Sequence, residues 1–294
     1  MSPLVLVLGA ALAHAGWNVL AHGTSRLGIP FLWCGAVASA LIWAVAVPLT
    51  GGIGAADLAG FALGVAVSAV VHVAYMLVLQ RGYAVGNLST VYATARGTGP
   101  LLAVAASVAL LGERPSLLAL TGVAAIIAGV VAVGLVDRPW VEPGLGAGGR
   151  GRGLDRGILF GLLTGVAIAA YTIWDAHAVR AWQIPPVAFM VGCTALEIVL
   201  FSGMLLAQRR HGEVVAVARA TWRRLLAFGV LSPLSYILVL TAITLAPVAL
   251  VAPMRELSVV LVSLFGVFVL HEGRPAGRVG ASVLVAAGVV LLAV

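Results

Sequence analysis

The chain has 294 residues, of which 62% are apolar and only 9% are charged, and its formal net charge is +7. Soluble domains are about one quarter charged, so a soluble fold of this composition could not cover its surface with polar groups. Every basic residue is an arginine. Because the chain has no lysine, a Walker A phosphate loop and a Schiff-base enzyme are both excluded.

Apolar runs long enough to cross a bilayer, which takes about 20 residues in a helix, follow one another along the chain. They lack the alternation of apolar and polar residues that is typical of barrel strands. We therefore predict an all-α membrane protein with about ten transmembrane helices, since helices satisfy their own backbone groups. The predicted spans are 3–21, 29–50, 58–80, 87–111, 117–136, 157–178, 186–207, 224–245, 247–270 and 276–294.

Two longer loops separate some of these spans. Residues 137–156 are rich in glycine and arginine and contain a GxGxxG match from Gly144 to Gly149. The match lacks the flanking strand and helix of a dinucleotide site, so we interpret this loop as a flexible linker. Residues 208–223 carry several arginines and are expected to lie on the membrane surface as a short amphipathic segment.

Most arginines fall in loops on one side of the predicted bundle, whereas Arg114 and Arg180 fall on the other. Arginines in short loops meet anionic headgroups and set topology, so no nucleic-acid partner is expected. By the positive-inside rule, this distribution predicts that both termini lie outside.

The sequence also repeats itself at nearly one offset. The matching pairs are Trp17-Asn18 with Trp174-Asp175, Cys34 with Cys193, Arg96 with Arg255, and Glu113 with Glu272. Each copy holds five predicted helices, and an odd number requires the copies to insert in opposite orientations, as in many secondary transporters. We predict a first repeat at 1–136, a linker at 137–156 and a second repeat at 157–294.

Charged side chains inside predicted spans cost about 2.5–3.5 kcal/mol each at a helix centre, so they are expected to face one another or a wet cavity. These residues are Arg96, Asp175, Glu197, Arg255 and Glu256. Arg96 and Arg255 recur at equivalent repeat positions and could line a solute pathway, or could form structural ion pairs with Asp175 or Glu256. Glu197 has no repeat counterpart.

Helical spacing places other polar and aromatic residues on shared faces, typical of a small-molecule site. The candidate substrate-binding residues are His14, Trp17, Asn18, His72, Tyr75, Tyr92, Arg96, Trp174, Asp175, Tyr236 and Arg255. The alternative is that the aromatic residues anchor or pack helices and that the histidines bond across them. Glu113 and Glu272 lie beside prolines and are interpreted as cap or interface residues. The spaced glycines Gly60/Gly64 and Gly157/Gly161/Gly165 predict close helix contacts.

Three segments carry a family resemblance. They are His14-Ala-Gly-Trp17-Asn18, the stretch from Val91-Tyr92-Ala-Thr-Ala-Arg96 to Leu111-Gly-Glu113, and the stretch from Arg255-Glu256-Leu-Ser258 to His271-Glu272. In this order and spacing the chain resembles the drug/metabolite transporter superfamily, in its EamA-type branch. The second copy departs from the family pattern, because His271 stands where a glycine usually precedes the glutamate.

The resemblance implies ten helices, a central cavity, alternating access and export of amino acids or other small metabolites, driven by a proton or solute gradient. It also implies cytoplasmic termini, against the arginine distribution, so sidedness stays open.

The sequence therefore predicts a secondary active transporter, an exporter of small polar metabolites in the bacterial inner membrane. Asp175 and Glu256 are the candidates for proton coupling, because burial favours the neutral form of a carboxyl group. The expected partners are a small-molecule substrate, the lipid bilayer and protons; no cofactor, metal or enzyme activity is expected, and the oligomeric state is left open. The alternatives are a membrane-embedded enzyme acting on lipid or isoprenoid substrates, which would need an acidic pair, HExxH or GxSxG, and a non-transporting scaffold.

Overall fold

The computed structural model describes residues 2–20, 24, 27–54, 57–86, 88–136, 156–269 and 275–293. These residues form helices without any strand, which confirms the prediction that the described part of the chain is all-α. The helices are α1 (Pro3–Leu20), α2 (Ile29–Ala44), α3 (Ala46–Leu49), α4 (Leu58–Val85), α5 (Leu88–Leu110), α6 (Leu117–Val136), α7 (Arg156–Ala181), α8 (Pro186–Ala207), α9 (Val214–Leu245), α10 (Val248–Met254), α11 (Leu257–Phe268) and α12 (Pro275–Ala293). The linker at 137–156 lies outside the described residues except for Arg156, and so does Glu272.

Eight helical segments of the described chain are long and apolar enough to cross a membrane. They match eight of the predicted spans, counting α2 with α3 and α10 with α11 as single crossings. The two other predicted spans, 87–111 and 276–294, are helices α5 and α12. Their crossing of the bilayer stays a prediction.

The structure differs from the predicted spans in two places. The span at 247–270 is broken, because α10 ends at Met254 and α11 begins at Leu257. The predicted surface segment at 208–223 is mostly the first part of α9, which follows a 3-10 turn and bends at Thr221. The Thr221 hydroxyl donates to the carbonyl of Val217 at 2.8 Å, an interaction that often bends helices.

The helices pack in a regular pattern. Helix α6 packs on α12 and α5 on α7; α1 packs on α9 and α11, α2 on α8 and α9, and α4 on α7 and α8. Spaced glycines make several of these contacts close, as the sequence predicted. Gly60 and Gly64 lie against Trp182, while Gly161 and Gly165 lie against threonines of α5.

Helices α6 and α12 approach one another closely through their backbones. A Cβ atom at Gly288 would lie 2.6 Å from the carbonyl oxygen of Gly122, and one at Gly122 would lie 2.9 Å from that of Gly288. Neither backbone can yield without separating the helices. Small residues at both positions are therefore a condition of this packing.

Gly288→Ala should lower the melting temperature of the purified protein, because overpacking of this kind costs about 1–3 kcal/mol. The matched control is Gly280→Ala on the same helix, where an added Cβ would meet nothing within 4 Å. Thermal unfolding in detergent measures both. Equal melting temperatures for the two variants would contradict the assigned contact.

Candidate functional site

A buried carboxylate lies between two guanidinium groups at the contact between the two halves of the chain. Nη1 of Arg96 on α5 lies 3.4 Å from both carboxylate oxygens of Glu256. Nε of Arg255 lies 3.8 Å from Oε1 of the same carboxylate. Glu256 is 1% exposed and Arg255 is 5% exposed. We call Arg96, Arg255, Glu256, His14 and Tyr92 the arginine cluster.

The helix break between α10 and α11 places Arg255 and Glu256 there. Pro253 has no N–H to continue the helical ladder. The chain turns tightly instead: the N–H of Glu256 donates to the carbonyl of Pro253 at 2.9 Å, and the N–H of Ser258 donates to that of Arg255 at 3.2 Å. Two adjacent charged side chains therefore project from a turn and not from a continuous helix.

Helix α1 adds a histidine to the arginine cluster. Nη2 of Arg96 lies 3.0 Å from Nε2 of His14. Because a guanidinium only donates, Nε2 must be the accepting nitrogen of a neutral imidazole. The guanidinium carbon of Arg96 also lies 5.4 Å from the centre of the Tyr92 ring, in cation–π range. Arg96 thus has partners on three elements.

The other two α1 candidates surround His14. The Trp17 ring meets the His14 ring edge-on at 5.1 Å and the Phe228 ring of α9 at 5.3 Å. The side-chain amide of Asn18 donates to the carbonyl of His14 at 2.7 Å. Asn18 is therefore bonded within its own helix.

A second group, the aspartate cluster, lies beside the first and consists of His72, Tyr75, Tyr171, Asp175 and Tyr236. Asp175 is fully buried and accepts a hydrogen bond from the Tyr236 hydroxyl. The His72 ring stacks on Tyr171 at 4.1 Å and meets Tyr236 at 5.5 Å. Tyr75 meets Tyr171 at 5.7 Å. The cluster joins α4, α7 and α9.

The two clusters are electrostatic neighbours. Arg255 lies within electrostatic range of Tyr171 and Tyr236, and Arg96 lies within that range of Tyr75 and Tyr171. The structure therefore brings ten of the eleven candidate residues into two adjacent groups around Arg96 and Asp175, counting Trp17 and Asn18 through their contacts with His14.

Trp174 is the candidate that the structure does not bring to these groups. Its Nε1 donates to the carbonyl of Gly64 at 3.0 Å, and its ring lies 5.5 Å from that of Trp182. These are contacts that pack α7 against α4. A role for Trp174 in a solute pathway stays a prediction.

Three buried polar atoms of these groups have no hydrogen-bond partner among the described residues. They are Nε1 of Trp17, Oδ1 of Asp175 and Nε of Arg255. Buried polar groups are normally paired, because an unpaired one forfeits its hydration. These atoms are two donors and one acceptor, and the Nε of Arg255 is the atom that lies 3.8 Å from the Glu256 carboxylate.

Two residues are missing from the predicted list of substrate-binding residues, although helical spacing places Tyr171 on the same face as Trp174 and Asp175. Tyr171 is the ring on which His72 stacks, and Ser68 holds His72, since the Ser68 carbonyl oxygen lies 3.0 Å from Nδ1. Both could have been found from helical spacing, because each lies four residues before a chosen residue on the same helix face.

Comparison with known proteins supports a transporter. Residues 155–294 match the model of the EamA-like transporter family. A solved structure titled "Crystal structure of protein" aligns with a TM-score of 0.72 over 98% of this chain and 95% of that chain, at 17% identity, and so shares the fold. No curated protein matches the chain. For residues 155–294, the family match confirms the resemblance that the sequence motifs indicated.

Glu256→Gln should destabilise the protein by about 3–5 kcal/mol, because it leaves two buried guanidinium groups without their shared carboxylate. The matched control is Glu213→Gln, which breaks the exposed pair with Arg210, 2.7 Å apart at its closest. That change should leave stability nearly unchanged. Thermal unfolding in detergent measures both, and comparable losses would mean that Glu256 is not the shared carboxylate.

Proposed function

We propose that the chain is a secondary active exporter of small polar metabolites such as amino acids, because residues 155–294 match the model of the EamA-like transporter family. It would work by alternating access in the bacterial inner membrane, through ten crossings. The matched family is one of transporters, which favours transport over a membrane enzyme.

The pattern of helix packing supports two inverted repeats, residues 1–136 and 157–294. In the proposed correspondence α1 matches α7, α2 matches α8, α4 matches α9, α5 matches α10 with α11, and α6 matches α12. When each helix is replaced by its match, the observed contacts recur. The contact of α1 with α9 becomes that of α7 with α4, which is also observed. The contact of α5 with α7 becomes that of α11 with α1, which is observed as well. The pairs α2 with α8 and α6 with α12 map onto themselves. A duplicated and inverted unit explains this symmetry.

The observation that carries the proposal is the ion pair between Arg96 and Glu256. It joins the two proposed repeats through charges that are costly to bury in a membrane, at a break between two half-helices. Broken helices at the interface of repeats are where secondary transporters bind their substrates.

The charges of the arginine cluster suggest how a solute would bind. Two guanidinium groups share one carboxylate, so the cluster has one positive charge in excess. A carboxylate or phosphate of the substrate would bind there, at Arg255 and Arg96. The aromatic rings of the aspartate cluster would form the adjoining wall.

Asp175 is the better candidate for proton coupling. Two guanidinium groups stabilise the charged form of Glu256, whereas the hydrogen-bond partner of Asp175 is the neutral Tyr236 hydroxyl. Protonation of Asp175 therefore breaks no ion pair. Glu256 would act instead as the counter-ion that a substrate anion replaces.

Arg255→Ala should abolish counterflow exchange in proteoliposomes of the solute class that the unmodified protein exchanges, because the excess charge of the cluster is lost. A panel of amino acids, organic acids and cationic drugs identifies that class. Arg219→Ala, which removes an exposed arginine of α9, should exchange normally. Full exchange by Arg255→Ala would rule out its place in the pathway.

Asp175→Asn should retain exchange but lose uptake driven by a pH gradient, because the amide cannot carry the proton. Glu256→Gln, tested alongside, should impair exchange itself. Gradient-driven accumulation measured beside counterflow separates the two effects. Intact accumulation by Asp175→Asn would exclude this residue as the coupling group.

A further inference from the structure

Glu113, in the loop between α5 and α6, binds the start of α10. Its Oε1 accepts from the N–H of Val248 at 2.7 Å, and its Oε2 accepts from the N–H of Ala249 at 2.8 Å. These N–H groups have no intrahelical partner at a helix start, and a carboxylate there is also favoured by the helix dipole. Glu113 is thus a cap, as the sequence suggested, but for a helix in the other half of the chain.

Arg180, near the end of α7, completes the same group from the opposite side. Its Nη1 lies 2.7 Å from Oε1 of Glu113, its Nε donates to the carbonyl of Ile243 at 2.7 Å, and its Nη2 donates to the carbonyl of Ala246. Arg180 therefore holds the end of α9 while Glu113 holds the start of α10. Together the two side chains span the α9–α10 turn.

Burial raises the pKa of the Glu113 carboxyl, but the hydrogen bonds from Arg180 and from the N–H groups of Ala249 and Val248 outweigh it. The pKa lies below its ordinary value. Glu113 is therefore charged at neutral pH, and its bonds are of the stronger, charge-assisted kind. The side chains of Arg180 and Glu113 are 29% and 9% exposed, so water can replace these bonds when they open.

This group lies at one end of the bundle, outside the two clusters. Arg255 follows Val248 by seven residues and Asp175 precedes Arg180 by five, which at 1.5 Å per residue places the clusters about 8–10 Å deeper. At this end the bonds of Glu113 and Arg180 tie the loop at 111–116 and the turn at 246–247 to the end of α7.

We propose that Glu113 and Arg180 form a latch that closes this end of the solute pathway and must open during each transport cycle. The proposal rests on the transport function proposed above. Because Glu113 holds the start of α10 and Arg255 follows its end, the latch also acts as a positioning device for the arginine cluster. Its release would free α10, with Arg255 and Glu256, to move relative to the first half.

The test measures access to a reporter cysteine below the latch and needs no substrate. The reporter is Ser68→Cys, in a protein whose two buried cysteines are replaced by Cys34→Ala and Cys193→Ala. Ser68 is fully buried and contacts His72 of the aspartate cluster. A membrane-impermeant maleimide is applied to intact spheroplasts and to inverted vesicles. Labelling of Arg114→Cys, an exposed neighbour of Glu113, identifies the preparation that presents the latch end.

Adding Glu113→Gln should raise the labelling rate of the reporter about tenfold in that preparation only, the population change expected from weakening charge-assisted hydrogen bonds. Arg180→Gln should raise the labelling rate in the same preparation only. Agreement between two different variants would exclude a folding defect of one of them as the cause. Glu213→Gln, at the exposed pair with Arg210, should give none. Unchanged labelling in both latch variants, or an equal increase in both preparations, would overturn the latch.

A reversible crosslink then tests whether the latch must open. In the protein lacking its native cysteines, Glu113→Cys and Arg180→Cys are joined by a short bifunctional thiosulfonate. Exchange in proteoliposomes should stop on crosslinking and return on reduction. Continued exchange across the crosslink would overturn the requirement for opening. If the protein without the crosslink exchanged no solute, while the latch variants still raised labelling in one preparation only, the result would count against the transport function and not against the latch.

Discussion

The structure depends on how three charges are buried together in the middle of an apolar bundle. The carboxylate of Glu256 lies between the guanidinium groups of Arg96 and Arg255, and each of these groups would be costly to bury in a membrane alone. Their mutual contact requires α5, α10 and α11 to meet, and His14 brings α1 to the same point. Other helices are arranged around this group by glycine-mediated contacts.

The charged pair from the second half lies at the break between α10 and α11. The N–H of Glu256 donates to the carbonyl of Pro253, so the helix tightens here into a turn of the 3-10 type, and both charged residues keep right-handed helical backbone angles. From this turn Glu256 contacts Arg96 of the first half, and Arg255 lies beside the same carboxylate. The equivalent arginine, Arg96, lies inside the continuous helix α5. The two proposed repeats therefore use matching arginines in different local structures.

The bundle also has a second polar group with a different character. Glu113 and Arg180 bind helix ends, where backbone groups are unpaired, and they remain in reach of water. The buried charges of Arg96, Arg255 and Glu256 hold the two halves of the chain together. The less buried Glu113 and Arg180 can exchange their bonds with solvent. This division, with rigid contacts at the centre and replaceable contacts at one end, suits the proposed transport cycle, in which one end opens while the centre holds a solute.

The sequence by itself determined the membrane class, the approximate helices and the set of costly residues, because hydropathy and helical spacing are properties of short stretches of chain. It also placed His72, Asp175 and Tyr236 on faces that do meet. Only the tertiary structure decided that Arg96 pairs with Glu256 and not with Asp175, that Trp174 packs against Gly64, and that Glu113 caps α10. The physical reason is that these partners lie far apart along the chain. Which helix faces which is decided by packing over the whole bundle, and no local pattern records it.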